Sequence, residues 1–313
     1  MKPSCRLRPV ALLGMILLVG HIPLAGAGPA EAPEFLDAGS VAVARERQFD
    51  FTSRLNQMPY RLMISVPKLE PGKTYPVLYV LDGNYYFRAV SDANSWGSGP
   101  FERAIVVGIG YPLQGVPADD HPEARRRRAI DYTVKAQPEV FPGGSGGCDT
   151  FLAIMEQEIK PFIAARYPVD PKRQMLYGKS AGGLAAVRAL FSTPQNFSTY
   201  LIVSPAIWQG DKAVLENEAS FSTRARAGEF SLRILITSAS EEEYTGTDPV
   251  KLAEETAFMI TNARNLADRL SRLNPDKIEV QYVLFQDENH NAVSLASIGR
   301  ALTFALPAKP VKR

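Results

Sequence analysis

The sequence has 313 residues, of which 45% are hydrophobic and 22% are charged, a composition typical of a globular protein. This length is enough for one large α/β domain or two small domains. The formal net charge of +2 argues against a nucleic-acid-binding protein, which would need a broad basic face.

The N-terminal segment, residues 1–27, has the features of a secretory signal peptide. Basic residues precede a short apolar run at residues 10–20, and small residues at 25–27 suit a cleavage site. The apolar run is too short for a stable membrane span, and an uncleaved anchor is the alternative. We therefore expect export, a loose leader at residues 28–44, and no membrane span after cleavage.

The chain has two cysteines, and Cys5 would leave with the signal peptide. Cys148 would then have no intramolecular partner, and an exported protein without disulfides suits a bacterial periplasm. Cys148 is also a candidate nucleophile of a thiol enzyme. It lies in a glycine-rich stretch with no predicted strand before it, which disfavours that role.

The rest of the chain alternates predicted strands with predicted helices. Polar–apolar alternation predicts an antiparallel pair at residues 48–52 and 60–66. Apolar runs predict strands buried on both faces at residues 75–81, 104–110, 174–178, 200–203, 232–237 and 278–285. Apolar residues at helical spacing predict helices at residues 151–167, 184–191, 256–273 and 292–304.

This alternation predicts one doubly wound α/β domain over residues 45–306, followed by a tail at 307–313. Its sheet is expected to be mostly parallel, with an antiparallel hairpin at the N-terminal end. The stretch at residues 111–147 is too long and too rich in proline and glycine for a simple connection. We expect it to be a loop that shapes the functional site.

A candidate nucleophile lies where one buried strand meets a helix. Gly178 and Gly182 flank Ser180 in the Gly-x-Ser-x-Gly pattern of a nucleophile elbow. The turn must be tight, so small neighbours are needed, and the helix that follows directs its first N–H groups at the site. An accidental glycine–serine turn is the alternative, but the flanking strand and helix favour the elbow.

A serine nucleophile needs a base, which is usually histidine. Of the three histidines, His21 lies in the signal segment and His121 precedes the serine. In hydrolases with such an elbow, the chain order is serine, acid, histidine, so His290 is the predicted base.

The acid should follow a strand between Ser180 and His290. Glu241 is our first choice and Glu242 our second, because both follow the strand that ends at residue 237. An acidic solvated turn is the alternative, and some enzymes use serine and histidine alone.

Two backbone N–H groups are candidates for stabilising a tetrahedral oxyanion. One belongs to Ala181, directly after the serine, and the other to Asn84, in the turn after the first buried strand. A plain tight turn is the alternative for Asn84.

Four arginines run from Arg125 to Arg128 inside the long loop, with Tyr132 shortly after. Such a run is commonly a solvated helix face. The alternative is that Arg127 and Arg128, with Tyr132, reach the site and bind an anionic substrate.

Successive motifs of the chain resemble a known family. They lie at residues 75–84, 127–133, 146–152, 176–184, 197–208 and 288–290. Together they resemble the esterase-D-like "Putative esterase" family of the α/β-hydrolase superfamily, in particular its periplasmic enterobactin-type siderophore esterases. The resemblance implies Ser180 as nucleophile, His290 as base, and Asn84 with Ala181 as oxyanion donors. The residue before the nucleophile is often histidine in this family and is Lys179 here.

The expected function is therefore that of an exported serine esterase acting on an anionic small-molecule ester. The resemblance makes a ferric catecholate trilactone siderophore the expected substrate, whose hydrolysis releases iron. No cofactor is needed, because iron would arrive with the substrate. A general carboxylesterase, an acyl transferase and a binding protein built on a hydrolase fold are the alternatives.

Overall fold

An eight-stranded sheet forms the centre of the protein in a computed structural model of the chain. The structure describes residues 45–96, 102–113, 121–243 and 258–307. The predicted signal peptide, the predicted leader and residues 308–313 lie outside the described residues. The described residues all fall in one compact unit that begins at Val43.

The sheet has the order β1-β2-β4-β3-β5-β6-β7-β8. Strand β1 pairs antiparallel with β2, and β2 pairs antiparallel with β4, whereas the remaining neighbours are parallel. The strands are Glu46–Thr52 (β1), Pro59–Ser65 (β2), Tyr75–Val80 (β3), Ile105–Gly110 (β4), Val169–Lys179 (β5), Thr199–Val203 (β6), Leu232–Ala239 (β7) and Ile278–Phe285 (β8). The predicted fold class, a mostly parallel doubly wound sheet with an antiparallel N-terminal pair, is confirmed.

Helices connect the parallel strands. They are Gly83–Ser95 (α1), Pro122–Tyr132 (α2), Cys148–Ile154 (α3), Lys160–Ala164 (α4), Ala181–Ser192 (α5), Glu218–Arg226 (α6), Met259–Ser271 (α7) and Val293–Ala305 (α8). A π-helical turn at Met155–Ile159 joins α3 to α4. Within the described ranges, none of the helices combines the length and the apolar character needed to cross a bilayer.

The long predicted loop at residues 111–147 contains a helix, α2. His121 caps it, because its Nδ1 accepts the N–H of Glu123 at 3.2 Å, and Pro122 occupies the first turn, where proline is tolerated. His121 therefore has a structural position at a helix N-terminus.

Two apolar layers cover the sheet. Helices α1 and α8 pack on one face, and α3, α5, α6 and α7 pack on the other. Strands β3 and β4 are buried along their whole length, as their continuous apolar sequence predicts. Because β3 and β5–β8 are parallel, the turns that follow β3, β5, β7 and β8 meet at one edge of the sheet.

Candidate active site

The turn from β5 into α5 holds Ser180 in a strained backbone conformation. Its φ of 58° and ψ of −117° lie in a region that residues with a side chain rarely adopt. A Cβ added to Gly178 would overlap the carbonyl oxygen of Gly182, and one added to Gly183 would lie 3.0 Å from Pro205 Cα. Gly178 and Gly183 are therefore required by close backbone approach, as expected for a nucleophile elbow.

His290 lies in the turn between β8 and α8, and its ring contacts Ser180. The distance from His290 Nε2 to Ser180 Oγ is 3.0 Å. The side chain of Asn289 accepts the N–H groups of Asn291 and Ala292 at 2.9 and 3.0 Å, which fixes the turn that carries the ring. The structure thus brings together the two residues that the chain order singled out, Ser180 and His290.

Glu242 completes a chain of hydrogen-bonding groups behind the serine. Its Oε1 lies 2.6 Å from His290 Nδ1, and its Oε2 accepts the N–H of Ala239 at 2.8 Å. The carboxylate is fully buried. Burial alone would raise the pKa of this carboxyl, but the hydrogen bonds from His290 and Ala239 hold the pKa below its ordinary value. The carboxylate is therefore ionised at neutral pH.

Our first choice for this position, Glu241, was wrong by one residue. Strand β7 continues to Ala239, two residues further than the sequence suggested, and a turn follows in which the Glu242 N–H donates to the Ala239 carbonyl at 3.3 Å. This turn folds the Glu242 side chain back onto the strand end. Glu241 lies at the tip of the turn, where its side chain is exposed.

With its proton on Nδ1, the imidazole of His290 donates to Glu242 and accepts the Ser180 hydroxyl at Nε2. In this state the ring can take the proton from the serine as the oxygen attacks a carbonyl carbon. These three side chains can therefore activate the serine oxygen as a nucleophile by proton transfer alone.

The two predicted oxyanion donors lie at the starts of two helices on the same sheet edge. Ala181 is the first residue of α5 and Asn84 the second of α1, and the first N–H groups of a helix have no acceptor within the helix. The Asn84 side chain is already used, since it donates to the Tyr111 carbonyl at 2.9 Å and accepts the Tyr111 N–H at 2.7 Å. The Asn84 side chain is thus held against Tyr111, and the predicted oxyanion donor is the backbone N–H of Asn84.

Arg128 holds the turn that carries Asn84. Its guanidinium makes two bonds to the buried carboxylate of Asp82, Nε to Oδ1 at 2.6 Å and a second nitrogen to Oδ2 at 3.0 Å. Asp82 has a positive φ of 55°, and its N–H donates to the Tyr132 hydroxyl at 2.9 Å. The substrate contact of Arg128 stays a prediction, because its guanidinium is paired with Asp82 while a quarter of its side chain is exposed.

Arg127 lies in the core, with 1% of its surface exposed. Its guanidinium is sandwiched between the rings of Tyr60 and Tyr111, at 4.5 and 4.6 Å from their centres, and donates to the Pro59 carbonyl at 2.7 Å. Tyr132 is also fully buried. The predicted substrate contacts of Arg127 and Tyr132 are therefore wrong, since neither side chain reaches solvent.

A cleft of about 300 Å³ opens beside Ser180 and His290. Trp208, Met259 and Ala206 form its apolar wall, and Glu241 and Glu242 complete its lining. The sequence offered Trp208 only as part of a family motif and gave no sign of Met259. A larger cleft of about 430 Å³ lies at the opposite edge, near the amino ends of the parallel strands, where such sheets do not carry their active sites.

The fold and this geometry define a class of protein. A serine at a strand–turn–helix elbow, a carboxylate after a later strand and a histidine after the last strand, in that chain order, are the arrangement of α/β-hydrolase enzymes.

Comparison with known proteins gives the family. The model of the "Putative esterase" family matches residues 53–282, and the chain belongs to this family. The chain is 30% identical to the ferri-bacillibactin esterase BesA of Bacillus subtilis, over 82% of this chain and 87% of that protein. It is 31% identical to a siderophore triacetylfusarinine C esterase of Aspergillus fumigatus, over 78% and 88% of the two chains.

Solved structures agree with this assignment. The crystal structure of the BES protein from Bacillus cereus matches with a TM-score of 0.76 at 29% identity, covering 88% of this chain and 100% of that one. The protein is thus a carboxylic-ester hydrolase of the siderophore esterase type.

Proposed function

We propose that the protein hydrolyses ester bonds of a ferric siderophore, with Ser180 as nucleophile, His290 as general base and Glu242 as the residue that orients His290. The observation that carries this proposal is the continuous contact from Glu242 through His290 to Ser180, with distances of 2.6 and 3.0 Å. The carboxylate end of this chain is buried and ionised, so the histidine is held in the tautomer that accepts the serine proton.

The reaction would proceed through an acyl-enzyme. Ser180 Oγ attacks the ester carbonyl while His290 takes its proton, and the N–H groups of Ala181 and Asn84 stabilise the negative oxygen. His290 then gives the proton to the leaving alcohol. Water attacks the acyl-enzyme in the second half, again with His290 as base, and frees the acid and Ser180. Each turnover consumes one water and cleaves one ester bond.

The relatives support a siderophore as the substrate. One is named for ferri-bacillibactin and another for triacetylfusarinine C, and both align with this chain over most of their length. A catecholate trilactone complex of iron, which is anionic, is our proposed substrate within this group. The open cleft beside Ser180 leaves one side of the serine accessible to a large macrocycle. A general carboxylesterase is the alternative.

Mass spectrometry of reaction products tests the proposal. The protein is incubated with cyclic and linear catecholate trilactones, each with and without Fe(III), and with p-nitrophenyl acetate. We expect stepwise gain of water by the trilactones and a kcat/KM on them at least about a hundred-fold above that on the simple ester, because remote binding energy is used only by the large substrate. Intact trilactones together with rapid p-nitrophenyl acetate hydrolysis would support the general carboxylesterase instead.

Ser180→Ala and His290→Ala are the active-site controls, and each should lower kcat by at least about a thousand-fold with folding intact. His121→Ala is the matched histidine control, because this residue caps α2 away from the cleft. Reaction of Ser180 with a fluorophosphonate separates an enzyme from a binding protein of the same fold. Full activity in Ser180→Ala would disprove the mechanism.

We also propose that the protein works outside the cytoplasm, in a bacterial periplasm. The basis is the sequence of residues 1–27, with basic residues, an apolar run and a small-residue cleavage site. Expression with a C-terminal tag in a Gram-negative host, followed by fractionation and N-terminal sequencing, tests this. A mature N-terminus near residue 28 in the periplasmic fraction is expected, and an intact Met1 in the cytoplasmic fraction would contradict it.

A further inference from the structure

A small apolar cavity lies beside the edge strand β1, away from the catalytic serine. It has a volume of about 150 Å³. Three phenylalanines, two aliphatic residues and two carboxylates line it: Phe49, Phe51, Phe162, Leu62, Ile159, Asp50 and Glu158. Strand β1 is four strands from β5 in the sheet, which is about 19 Å at the ordinary strand spacing. None of these residues lines the cleft beside Ser180, so the cavity is separate from the candidate active site.

One carboxylate oxygen in this wall lacks a partner. Only 10% of the Glu158 side chain is exposed. Its Oε1 accepts the backbone N–H of Arg54 at 3.0 Å and the side-chain Nε–H of Arg54 at 3.3 Å. Among the residues that the structure describes, Glu158 Oε2 is buried without a hydrogen-bond partner. An unpaired buried acceptor costs free energy, so this oxygen calls for an explanation.

The second carboxylate in the wall is fully used. Arg61 donates to both oxygens of Asp50, from Nε to Oδ1 and from a second nitrogen to Oδ2, each at 2.7 Å. Each of the two carboxylates thus has an arginine partner, Arg61 for Asp50 and Arg54 for Glu158. Because the charges are compensated, the cavity suits a neutral ligand that donates a hydrogen bond better than it suits a cation.

The size and the walls of the cavity indicate the shape of such a ligand. A buried water typically makes about three hydrogen bonds, whereas the described side chains of this wall offer one acceptor without a partner. An apolar cavity of about 150 Å³ can hold one benzene ring. The rings of Phe49 and Phe162 already meet edge to face, with centres 5.2 Å apart, a geometry that aromatic groups prefer. The cavity therefore fits one aromatic ring that carries a hydroxyl group.

The local backbone is consistent with a ligand site. Glu158 and Ile159 belong to the π-helical turn at Met155–Ile159, and such turns are frequent at functional sites. Phe49 and Phe51 lie on β1, which pairs only with β2 among the described strands. Both rings are half-buried. This side of the wall can therefore shift outward to let a ring reach Glu158.

We propose that this cavity is a second binding site of the protein, and that its ligand is a small neutral phenol whose hydroxyl group donates to Glu158 Oε2. The ring would pack among Phe49, Phe51 and Phe162. The site goes beyond the proposed ester hydrolysis, and it does not depend on the roles of Ser180 and His290.

A titration of the folded protein followed by ¹⁹F NMR tests the proposal. The two probes are 4-fluorophenol and 4-fluoroanisole, a matched ether that has the same ring and no hydrogen to donate. We expect a Kd of about 1 mM for 4-fluorophenol, an affinity within the limits known for very small ligands. The Kd of 4-fluoroanisole should be at least about ten-fold higher, because it leaves the carboxylate oxygen unpaired.

Glu158→Gln tests the free oxygen directly. The amide oxygen can accept the two N–H groups of Arg54, which leaves the NH₂ group in place of Oε2, where it cannot accept from a phenol. The Kd of 4-fluorophenol should rise about ten-fold, whereas that of 4-fluoroanisole should stay within about two-fold. Asp50→Asn is the matched control, because it changes the carboxylate of the same wall that Arg61 already occupies. The Kd of 4-fluorophenol should stay within about two-fold of wild type in this control.

Phe49→Trp tests the cavity without altering Glu158. Its larger ring narrows the space, so the Kd of 4-fluorophenol should rise at least about five-fold. The proposal would be overturned by the absence of saturable binding to wild type up to about 10 mM, or by equal Kd values for the phenol and the ether. A Kd of 4-fluorophenol that is unchanged in both Glu158→Gln and Phe49→Trp would place the ligand elsewhere and would overturn it too. Since hydrolysis is not measured, failure of the proposed function would leave this result unaffected.

Discussion

Replacing Glu242 with glutamine changes one carboxylate oxygen into an NH₂ group and so tests the hydrogen bonds of this side chain. The two carboxylate oxygens accept two donors, the His290 ring at 2.6 Å and the Ala239 N–H at 2.8 Å. A glutamine amide has one oxygen and one NH₂ group, so it can accept from only one of these donors. The backbone N–H of Ala239 is always a donor, whereas the imidazole can change tautomer.

The glutamine oxygen should therefore face Ala239 and its NH₂ group should face His290 Nδ1. That arrangement requires the imidazole to carry its proton on Nε2, the nitrogen that lies 3.0 Å from Ser180 Oγ. A protonated Nε2 cannot accept the serine proton. The folded structure would be retained while His290 is held in the wrong tautomer, an effect that can reach about 10⁴ in kcat for an acid-to-amide change in a triad.

We expect Glu242→Gln to lower kcat by about a thousand-fold, or about 4 kcal/mol in activation free energy. The assay is steady-state hydrolysis of p-nitrophenyl acetate at pH 8, with circular dichroism to confirm folding. Glu241→Gln is the matched control, since its exposed side chain neighbours the same turn, and its rate should stay within about two-fold of wild type. A rate within ten-fold of wild type in Glu242→Gln would refute this reasoning and indicate a Ser180–His290 dyad.

Two further substitutions test the packing that supports the site. Gly178→Ala should lower stability by more than about 2 kcal/mol, or abolish soluble expression, because the new methyl group would overlap the carbonyl of Gly182. A thermal unfolding curve like that of wild type would contradict this expectation. Arg127→Met should lower stability by about 3–5 kcal/mol, because it leaves the buried Asp131 without its counter-charge. The KM of the folded variant should stay unchanged. A raised KM with an unchanged Tm would instead indicate that Arg127 contacts the substrate.

Much of the fold was predictable from the sequence because buried parallel strands must be apolar throughout. The runs at residues 75–81 and 104–110 predicted β3 and β4 nearly to the residue. Helix α1 was missed because the residues that open it, Asp82 to Asn84, are also typical of a tight turn. Asp82 does adopt a left-handed turn conformation, and the helix starts directly after it.

The site residues that follow from chain order could be predicted. The acid, whose identity depends on where a strand ends, could not. Ser180 and His290 followed from the elbow and from the elimination of the other histidines. The choice between Glu241 and Glu242 depended on where β7 stops, and hydrophobicity fades gradually through its last residues, Ser238 and Ala239. Since neighbouring side chains at a turn point in different directions, an error of one residue exchanges a buried carboxylate for an exposed one.

The arginine run shows why a row of like charges in a sequence does not establish a charged surface. Residues of a helix point outward at 100° intervals, so four consecutive arginines must have four different surroundings. Arg125 is exposed, Arg126 pairs with Glu123, Arg127 is buried beside Asp131, and Arg128 binds Asp82. Three of the four positive charges are thus used within the protein, two of them to hold α2 against the core and against the turn at Asp82. A preference for an anionic ester therefore does not follow from the number of arginines in the run.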